Sequence, residues 1–277
     1  MDLVSSNFSD LLKPNIETKK FPDGEKYIKI PEKVEEKVNL FHRLYPNQDE
    51  ALIEVFLILS TLKQKEVEVT LIAPYVPYAR QDKIFLEGEA LSSEIICGLL
   101  SHSGVKNIVT LDCHFLKKEG EFQYNGLTIK NISMANPLIE HAKKKYDAPE
   151  LEVISPDVGA SYMTEAHGGK SMKKVRGEYN EGDEAYRKIE KVESSYDFTG
   201  ADVLVLDDMI STGGTMVRAV ENVKKGGAKR VFCAATHGFF LKNSLEKLRD
   251  VSDGVFVTNS IPSEVSEVNF MDEIKLK

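Results

Sequence analysis

The sequence predicts an α/β protein whose helices cover mainly parallel sheets. Short runs rich in β-branched residues recur along the 277-residue chain, and most are followed by apolar residues at helical spacing. The composition suits a folded protein, because 42% of the residues are hydrophobic and 29% are charged. No apolar run approaches the roughly 18 residues of a membrane-spanning helix. We therefore expect a cytoplasmic protein without a membrane partner.

The charge balance limits the possible partners further. Asp and Glu number 44 against 36 Lys and Arg, which gives a net charge of −8. A chain of this charge is not drawn to DNA, RNA or anionic lipid by bulk electrostatics. We predict no nucleic-acid partner, and any phosphate ligand must be held by a few local groups.

The individual elements follow one another in the order expected of βα units. Ser92 and Pro137 are helix-start signals, and Gly104 and Gly226 stand where helices should end. The predicted strands are Val67–Ala73, Asn107–Asp112, Glu152–Ser155, Asp202–Asp207, Arg230–Thr236 and Val255–Thr258. The predicted helices are Asp49–Lys65, Ser92–His102, Pro137–Lys145, Gly159–Ala166, Thr215–Lys225 and Leu241–Arg249.

A domain boundary is predicted near Lys130–Asn136, where a polar stretch leads into Asn-Pro and a new helix. Residues 1–132 and 133–277 then form one α/β domain each. Within the second domain, charged residues crowd the stretch from Gly168 to Ser195. We expect this stretch to lie outside the core, either as a solvated loop or exposed helix or as a lid over an active site.

The strongest chemical signal is the stretch VLVLDDMISTGGT from Val203 to Thr215. It predicts a strand that ends in two acids, Asp207 and Asp208, followed by a turn and a helix. The turn and helix start, here called the 211–215 loop, comprise Ser211, Thr212, Gly213, Gly214 and Thr215. Unpaired backbone N–H groups and the helix dipole at such a turn bind phosphate. Carboxylates accept hydrogen bonds from vicinal hydroxyls, so the stretch predicts a sugar-phosphate site, with an ordinary hydrophilic turn as the alternative.

This stretch resembles the phosphoribosyl-diphosphate (PRPP) binding motif that type I phosphoribosyltransferases share with PRPP synthetases. Further stretches resemble successive signatures of the ribose-phosphate pyrophosphokinase family, in the expected order over about residues 15–240. They are FPDGE at Phe21–Glu25, APYVPYARQDK at Ala73–Lys83, GEA at Gly88–Ala90, TLDCH at Thr110–His114 and SPD at Ser155–Asp157. The resemblance implies two tandem type I phosphoribosyltransferase-like domains, each a mainly parallel sheet flanked by helices.

The resemblance also implies a reaction: transfer of the β,γ-diphosphoryl group of ATP to the 1-hydroxyl of ribose 5-phosphate, which yields PRPP and AMP. In that case the first domain carries the ATP motifs, and the 211–215 loop with Asp207 and Asp208 binds ribose 5-phosphate. By similarity Arg80 and Gln81 contact ATP. Mg²⁺ is the implied cofactor, and His114 and Asp157 are the residues that match its binding positions, His114 being an ATP-binding residue as well.

Two more implied sites bear on assembly and catalysis. Phe21, Asp23 and Glu25 resemble the family's adenine-binding turn, which a neighbouring subunit supplies, so the resemblance implies a homo-oligomer with a composite active site. The residues alone indicate a surface β-turn, and both descriptions can hold. In the charged stretch, Lys174 and Arg176 are the nearest match to the family's mobile catalytic loop, with Lys170 and Lys173 as alternatives.

Two other functions stay open on the sequence. A phosphoribosyltransferase that consumes PRPP would account for Asp207–Thr215 but leaves Phe21–Glu25 and Arg80–Lys83 unexplained. A catalytically silent PRPP-sensing regulatory subunit would have lost its catalytic cations, yet Lys174 and Arg176 are present. The diphosphokinase is therefore the leading hypothesis.

Overall fold

The computed structural model describes residues 1–179, 187–193 and 196–275, with the backbone alone for 173–179 and 187–193. The chain divides into two compact units, Met1–Ile132 and Ser133–Lys277. Each unit contains a six-stranded sheet. No helix among the described residues is long and apolar enough to cross a membrane.

The first unit is built on a mostly parallel sheet in the order β1-β4-β5-β6-β8-β7, in which the β7–β8 pair is antiparallel. Its strands are β1 (Asp2–Val4), β2 (Glu17–Lys20), β3 (Lys26–Lys29), β4 (Lys37–Phe41), β5 (Glu68–Ile72), β6 (Val105–Leu111), β7 (Gly120–Tyr124) and β8 (Leu127–Ile132). Its helices are α1 (Gln48–Lys63), α2 (Ser92–His102) and a 3-10 turn at Ser6–Phe8. Strands β2 and β3 form a separate antiparallel hairpin.

The sheet of the second unit is parallel throughout, in the order β10-β9-β13-β14-β15-β16. The strands are β9 (Glu152–Ser155), β10 (Lys170–Ser171), β11 (Lys173–Tyr179), β12 (Arg187–Glu193), β13 (Asp202–Ile210), β14 (Arg230–Gly238), β15 (Gly254–Thr258) and β16 (Ser266–Val268). The helices are α3 (Ala135–Tyr146), α4 (Tyr162–Glu165), α5 (Gly214–Lys225) and α6 (Ser244–Val251), with 3-10 turns at Val158–Ala160, Leu241–Asn243 and Phe270–Glu273. The predicted α/β class is confirmed.

Strand β13 is the centre of the second unit because it is buried on both faces. The run from Val203 to Leu206 is fully buried, as expected of a parallel strand covered by helices. Helix α5 buries Met216, Ala219, Val220 and Val223 at helical spacing against the same core. This packing holds the carboxyl end of β13 and the start of α5 in fixed positions.

The structure corrects one expectation about the charged stretch 168–195. Met172 is fully buried and belongs to the core of the second unit, so the exclusion of this stretch from the core was wrong at that residue. Strands β11 and β12 pair antiparallel, where the sequence suggested a loop or helix. A strand pair satisfies its backbone hydrogen bonds without requiring buried apolar side chains, which explains why a polar composition did not reveal it.

Candidate active site

The 211–215 loop joins β13 to α5 through a left-handed glycine. Gly213 has φ 74° and directly precedes the helix, a conformation open to glycine at little cost. The Val217 N–H donates to the Gly213 carbonyl at 2.9 Å. The N–H groups of Gly214, Thr215 and Met216 therefore lie in the first turn, where helical geometry provides no acceptor. The loop thus has the geometry of an anion site.

Two acids stand just before this loop, at the carboxyl end of β13. The Asp208 N–H donates to Oδ1 of Asp207 at 2.9 Å, and the Asp208 side chain is buried. Burial, together with the neighbouring carboxylates of Asp208 and Asp157, raises the pKa of Asp207 well above its ordinary value. Burial and the two neighbouring carboxylates therefore favour the protonated form of the Asp207 carboxyl.

Asp157 reaches the same edge from the neighbouring strand, because parallel β9 and β13 end on the same side of the sheet. Its carboxylate Oδ1 accepts a hydrogen bond from the Gly159 N–H at 2.7 Å, and the Ser155 hydroxyl donates to its carbonyl at 2.9 Å. These contacts fix the direction of the carboxylate. Oxygen donors of this kind suit a hard divalent cation.

The acids do not form a complete metal cage. Across the part of the chain that the structure describes, no group of three or more His, Cys, Asp or Glu residues is arranged to hold a metal ion. Mg²⁺ is commonly held by one or two carboxylates together with waters and substrate phosphates. The carboxylates of this edge fit that mode of binding.

In the first unit, the predicted adenine-binding residues form the tip of the β2–β3 hairpin. The Phe21 N–H donates to the Glu25 carbonyl at 2.8 Å, and the Glu25 N–H donates to Oδ1 of Asp23 at 3.1 Å. The Phe21 ring is 50% exposed and rests edge-on against Tyr27, with the ring centroids 6.2 Å apart. The turn therefore presents an aromatic face to solvent while its backbone is fixed.

Ion pairs anchor this hairpin to α1. Lys26 Nζ lies 2.9 Å from a Glu50 carboxylate oxygen and 3.1 Å from one of Glu54, and Lys20 Nζ lies 2.7 Å from Glu50. Hydrogen bonds from Lys20 and Lys26 lower the pKa of Glu50 to about 2. The hairpin is thus tied to the helix at the end of its strands next to the exposed turn, since Lys20 and Lys26 flank that turn.

Arg80, Gln81 and His114 follow two adjacent strands of the first sheet, since β5 pairs parallel with β6. The Ser92 hydroxyl donates to Oε1 of Gln81 at 3.0 Å, which fastens Gln81 to the start of α2. Arg80 is exposed, and His114 is partly buried on the turn after β6. The two stretches therefore leave the same edge of the sheet.

The structure describes the predicted catalytic pair only by its backbone. Lys174 and Arg176 lie on β11, and their side chains are outside the described residues, as is that of the alternative Lys173. The other alternative, Lys170, has Nζ 3.0 Å from Glu152 and faces the rings of Tyr196 and Phe198. These contacts give Lys170 a structural role at the sheet edge.

Sequence reasoning missed one set of residues at the site. Segment 239–244, which follows β14, packs behind the 211–215 loop and hydrogen-bonds to the carbonyls of Ile210 and Ser211. The contacts join positions about 30 residues apart, and no local pattern marks them.

Comparison with known proteins agrees with the sequence motifs. The family model described as the N-terminal domain of ribose phosphate pyrophosphokinase matches residues 7–104, and one described as the phosphoribosyl synthetase-associated domain matches residues 185–276. The chain is 36% identical to the ribose-phosphate pyrophosphokinase of Sulfurisphaera tokodaii, over 93% of this chain and 88% of the relative. It is 34% identical to that of Pyrococcus furiosus, over 94% and 91%.

A solved structure shows the same fold. The phosphoribosylpyrophosphate synthetase from Mycobacterium smegmatis superposes with a TM-score of 0.75 and 24% identity, covering 97% of this chain and 92% of that one. At that identity the likeness concerns the fold alone.

Proposed function

The chain belongs to the ribose-phosphate pyrophosphokinase family, and we propose that it transfers the β,γ-diphosphoryl group of ATP to the 1-hydroxyl of ribose 5-phosphate, producing PRPP and AMP. The observation that carries this proposal is the 211–215 loop beside Asp207 and Asp208, in a chain whose named relatives match it over nearly its whole length. An anion site next to two hydrogen-bond-accepting carboxylates is what a phosphorylated sugar requires.

Ribose 5-phosphate binds at the carboxyl end of β13. The backbone N–H groups of the 211–215 loop and the positive end of α5 hold the 5-phosphate. Asp207 and Asp208 accept hydrogen bonds from the ribose hydroxyls. Burial and the neighbouring carboxylates raise the pKa of Asp207, and hydroxyl donors that arrive at the pair favour its ionised form.

ATP binds through the motifs of the first unit. The exposed Phe21 ring packs against adenine, while Asp23 and Glu25 contact the nucleotide from the same turn. Arg80, Gln81 and His114 hold the remainder of the ATP molecule. Because Gln81 is already fastened to α2, little side-chain freedom is lost when it meets ligand.

Phosphoryl transfer also needs positive charge. Mg²⁺ would supply it to the phosphates and orient them when bound, and His114 of the first unit and Asp157 of the second are each candidate residues for binding it. Lys174 and Arg176 stabilise the charge on the transferred group, and the planar guanidinium of Arg176 can grip two phosphate oxygens at once.

A product assay tests the proposal against its alternatives. We expect the protein, incubated with Mg²⁺, ATP and ribose 5-phosphate, to form AMP and PRPP in equal amounts by anion-exchange chromatography. Formation of ADP would contradict diphosphoryl transfer. PRPP consumption with a nucleobase would indicate a phosphoribosyltransferase, and PRPP binding without turnover would indicate a regulatory subunit.

Asp208→Asn should raise the KM for ribose 5-phosphate about tenfold or more, with the KM for ATP within about twofold. A hydrogen bond to a charged group is worth about 1.5–3 kcal/mol, and the amide keeps the shape of the side chain. The melting temperature of the variant checks that the fold is retained. An equal rise in both KM values would show that Asp208 does not belong to a separate sugar site.

The homo-oligomer that the resemblance implies can be tested by subunit complementation. One variant carries Phe21→Ala with Glu25→Ala, and the other carries Lys174→Ala with Arg176→Ala. Each alone should be nearly inactive. In a mixed two-fold dimer, one site receives both damaged parts and the other receives both intact parts. A statistical one-to-one mixture should therefore recover about a quarter of wild-type activity.

The control for this experiment is each variant dissociated and reassociated with itself, which should recover nothing. Subunit exchange is verified with differently tagged chains. If exchange occurs and activity stays absent, the Phe21–Glu25 turn serves its own chain and the composite site is ruled out.

A further inference from the structure

The 211–215 loop is held from behind by residues that no motif assigns to the site. The Ile210 carbonyl accepts hydrogen bonds from the N–H groups of Phe239 at 2.9 Å and Phe240 at 3.3 Å. The Ser211 carbonyl accepts one from the Leu241 N–H at 3.0 Å and one from the Ser244 hydroxyl at 3.1 Å. The carbonyls of Ile210 and Ser211, where the chain passes from β13 into the loop, therefore both point toward segment 239–244.

The supporting segment has an unusual backbone. Phe240, Lys242 and Asn243 have φ values of 49°, 57° and 57°, in the left-handed region that side chains disfavour. Three such residues within four positions persist only where surrounding contacts hold them. The hydrogen bonds to Ile210 and Ser211 are contacts of that kind.

Ser244 also meets the loop sterically. It is fully buried and is the first residue of α6. A β-carbon placed on Gly213 would lie 2.7 Å from the Ser244 β-carbon. The backbone of Gly213 therefore packs directly against Ser244, whose hydroxyl at the same time holds the Ser211 carbonyl.

We infer that Ser244 is a positioning residue for the sugar phosphate, an inference that rests on the proposed function of the 211–215 loop. The carbonyl and the N–H of one trans peptide point in opposite directions. Because the Ser244 hydroxyl and the Leu241 N–H hold the Ser211 carbonyl toward segment 239–244, the N–H of Thr212, an exposed residue, points the other way. Phe239 and Phe240 set the N–H of Ser211 in the same manner through the Ile210 carbonyl. Ser244 thereby orients an N–H group that donates a hydrogen bond to the phosphate, without contacting the phosphate itself.

Ser244→Ala isolates this role because it removes the hydroxyl and keeps the β-carbon that packs on Gly213. We expect the KM for ribose 5-phosphate to rise about fivefold, the loss expected for one hydrogen bond. The kcat and the KM for ATP should stay within about twofold. Ser244→Cys, which retains a weak donor of similar size, should give an intermediate KM.

A matched control lies at the other end of the same helix. The Ser252 hydroxyl donates to the Leu248 carbonyl at 2.6 Å, so Ser252→Ala also removes a serine-to-carbonyl bond from α6 without touching the loop. We expect Ser252→Ala to lower the melting temperature as much as Ser244→Ala and to leave the KM for ribose 5-phosphate unchanged. A purely structural role for Ser244 predicts the same kinetics for both variants.

The outcomes separate this inference from the proposed function. PRPP formation by the wild-type protein, with Ser244→Ala equal to Ser252→Ala in its KM for ribose 5-phosphate, would overturn the positioning role and leave the function standing. Equal rises in the KM values for ATP and ribose 5-phosphate would also overturn it. Absence of PRPP formation by the wild-type protein would reject the function itself. Calorimetric titration of ribose 5-phosphate into each variant should reproduce the fivefold difference as a difference in Kd.

Discussion

Alanine at Lys174 or at Arg176 should lower kcat about 10³-fold and change the KM of either substrate by only a few fold. Cations directed at a migrating phosphoryl group act mainly on the transition state, where negative charge is redistributed between the attacking and leaving oxygens. A loss confined to kcat is the signature of an interaction made in that state. Steady-state kinetics with both substrates varied, read as AMP release, measures the split.

Lys170→Ala is the control for this prediction, because Lys170 is engaged by Glu152 and by the Tyr196 ring. It should cost some stability and leave kcat within a few fold. A kcat of wild-type size in Lys174→Ala, together with a large loss of kcat in Lys173→Ala or Lys170→Ala, would show that one of those two lysines is the catalytic one instead.

The parts of this fold that the sequence predicts well are those governed by local pattern. The apolar run from Val203 to Leu206 and the helical spacing after Gly214 predicted β13 and α5 close to their observed bounds. Helix α2 has the predicted bounds, Ser92–His102, although the Ser92 hydroxyl donates to Gln81 and does not cap the helix. Gly104, with φ 112°, follows the end of the helix as predicted. The glycine-rich turn between β13 and α5 was also predicted, because two consecutive glycines between a strand and a helix indicate a turn.

The features that the sequence did not predict depend on contacts between residues that are far apart in the chain. Strand β13 continues through Asp207 and Asp208 to Ile210, three residues past its predicted end, since its pairing with β14 runs on to Ile210 opposite Gly238. A ladder of backbone hydrogen bonds thus overrides the low strand preference of acidic residues. The β2–β3 hairpin was likewise predicted only as a turn, because its anchoring depends on Glu50 and Glu54 of α1, far along the chain.

Contacts between residues far apart in the chain also explain why the hydrogen bonds from segment 239–244 to the 211–215 loop were not predicted. Phosphate binding was predicted from the residues of the loop itself, whereas the Ser244 hydroxyl that we propose to orient the Thr212 N–H lies about 30 residues further along the chain. A serine at the start of a helix is ordinarily interpreted as a cap. Only the folded arrangement shows its hydroxyl donating to the Ser211 carbonyl instead.

Gly213→Ala should lower kcat/KM for ribose 5-phosphate about 100-fold, as misplacement of binding groups by about 1 Å does. Two effects combine. Gly213 has φ 74°, where alanine is strained, and the added β-carbon would lie 2.7 Å from the Ser244 β-carbon. The loop or α6 must therefore shift, and the N–H groups that face phosphate shift with it. Kinetics with ribose 5-phosphate varied at saturating ATP measures the loss.

Gly200→Ala separates backbone strain from the clash. Gly200 has φ 76° and no atom within 4 Å of an added β-carbon, so this variant carries the same strain, about 1–2 kcal/mol, away from the site. Its melting temperature should fall while its KM for ribose 5-phosphate stays near that of the wild type. The clash itself is tested by adding Ser244→Gly to Gly213→Ala. Because Ser244→Gly also removes the hydroxyl, this double variant is compared with Gly213→Ala plus Ser244→Ala, which lacks the hydroxyl and keeps the β-carbon. Removal of the opposing β-carbon should raise the ribose 5-phosphate affinity above that of the comparison variant, and equal affinities would show that the clash has no effect.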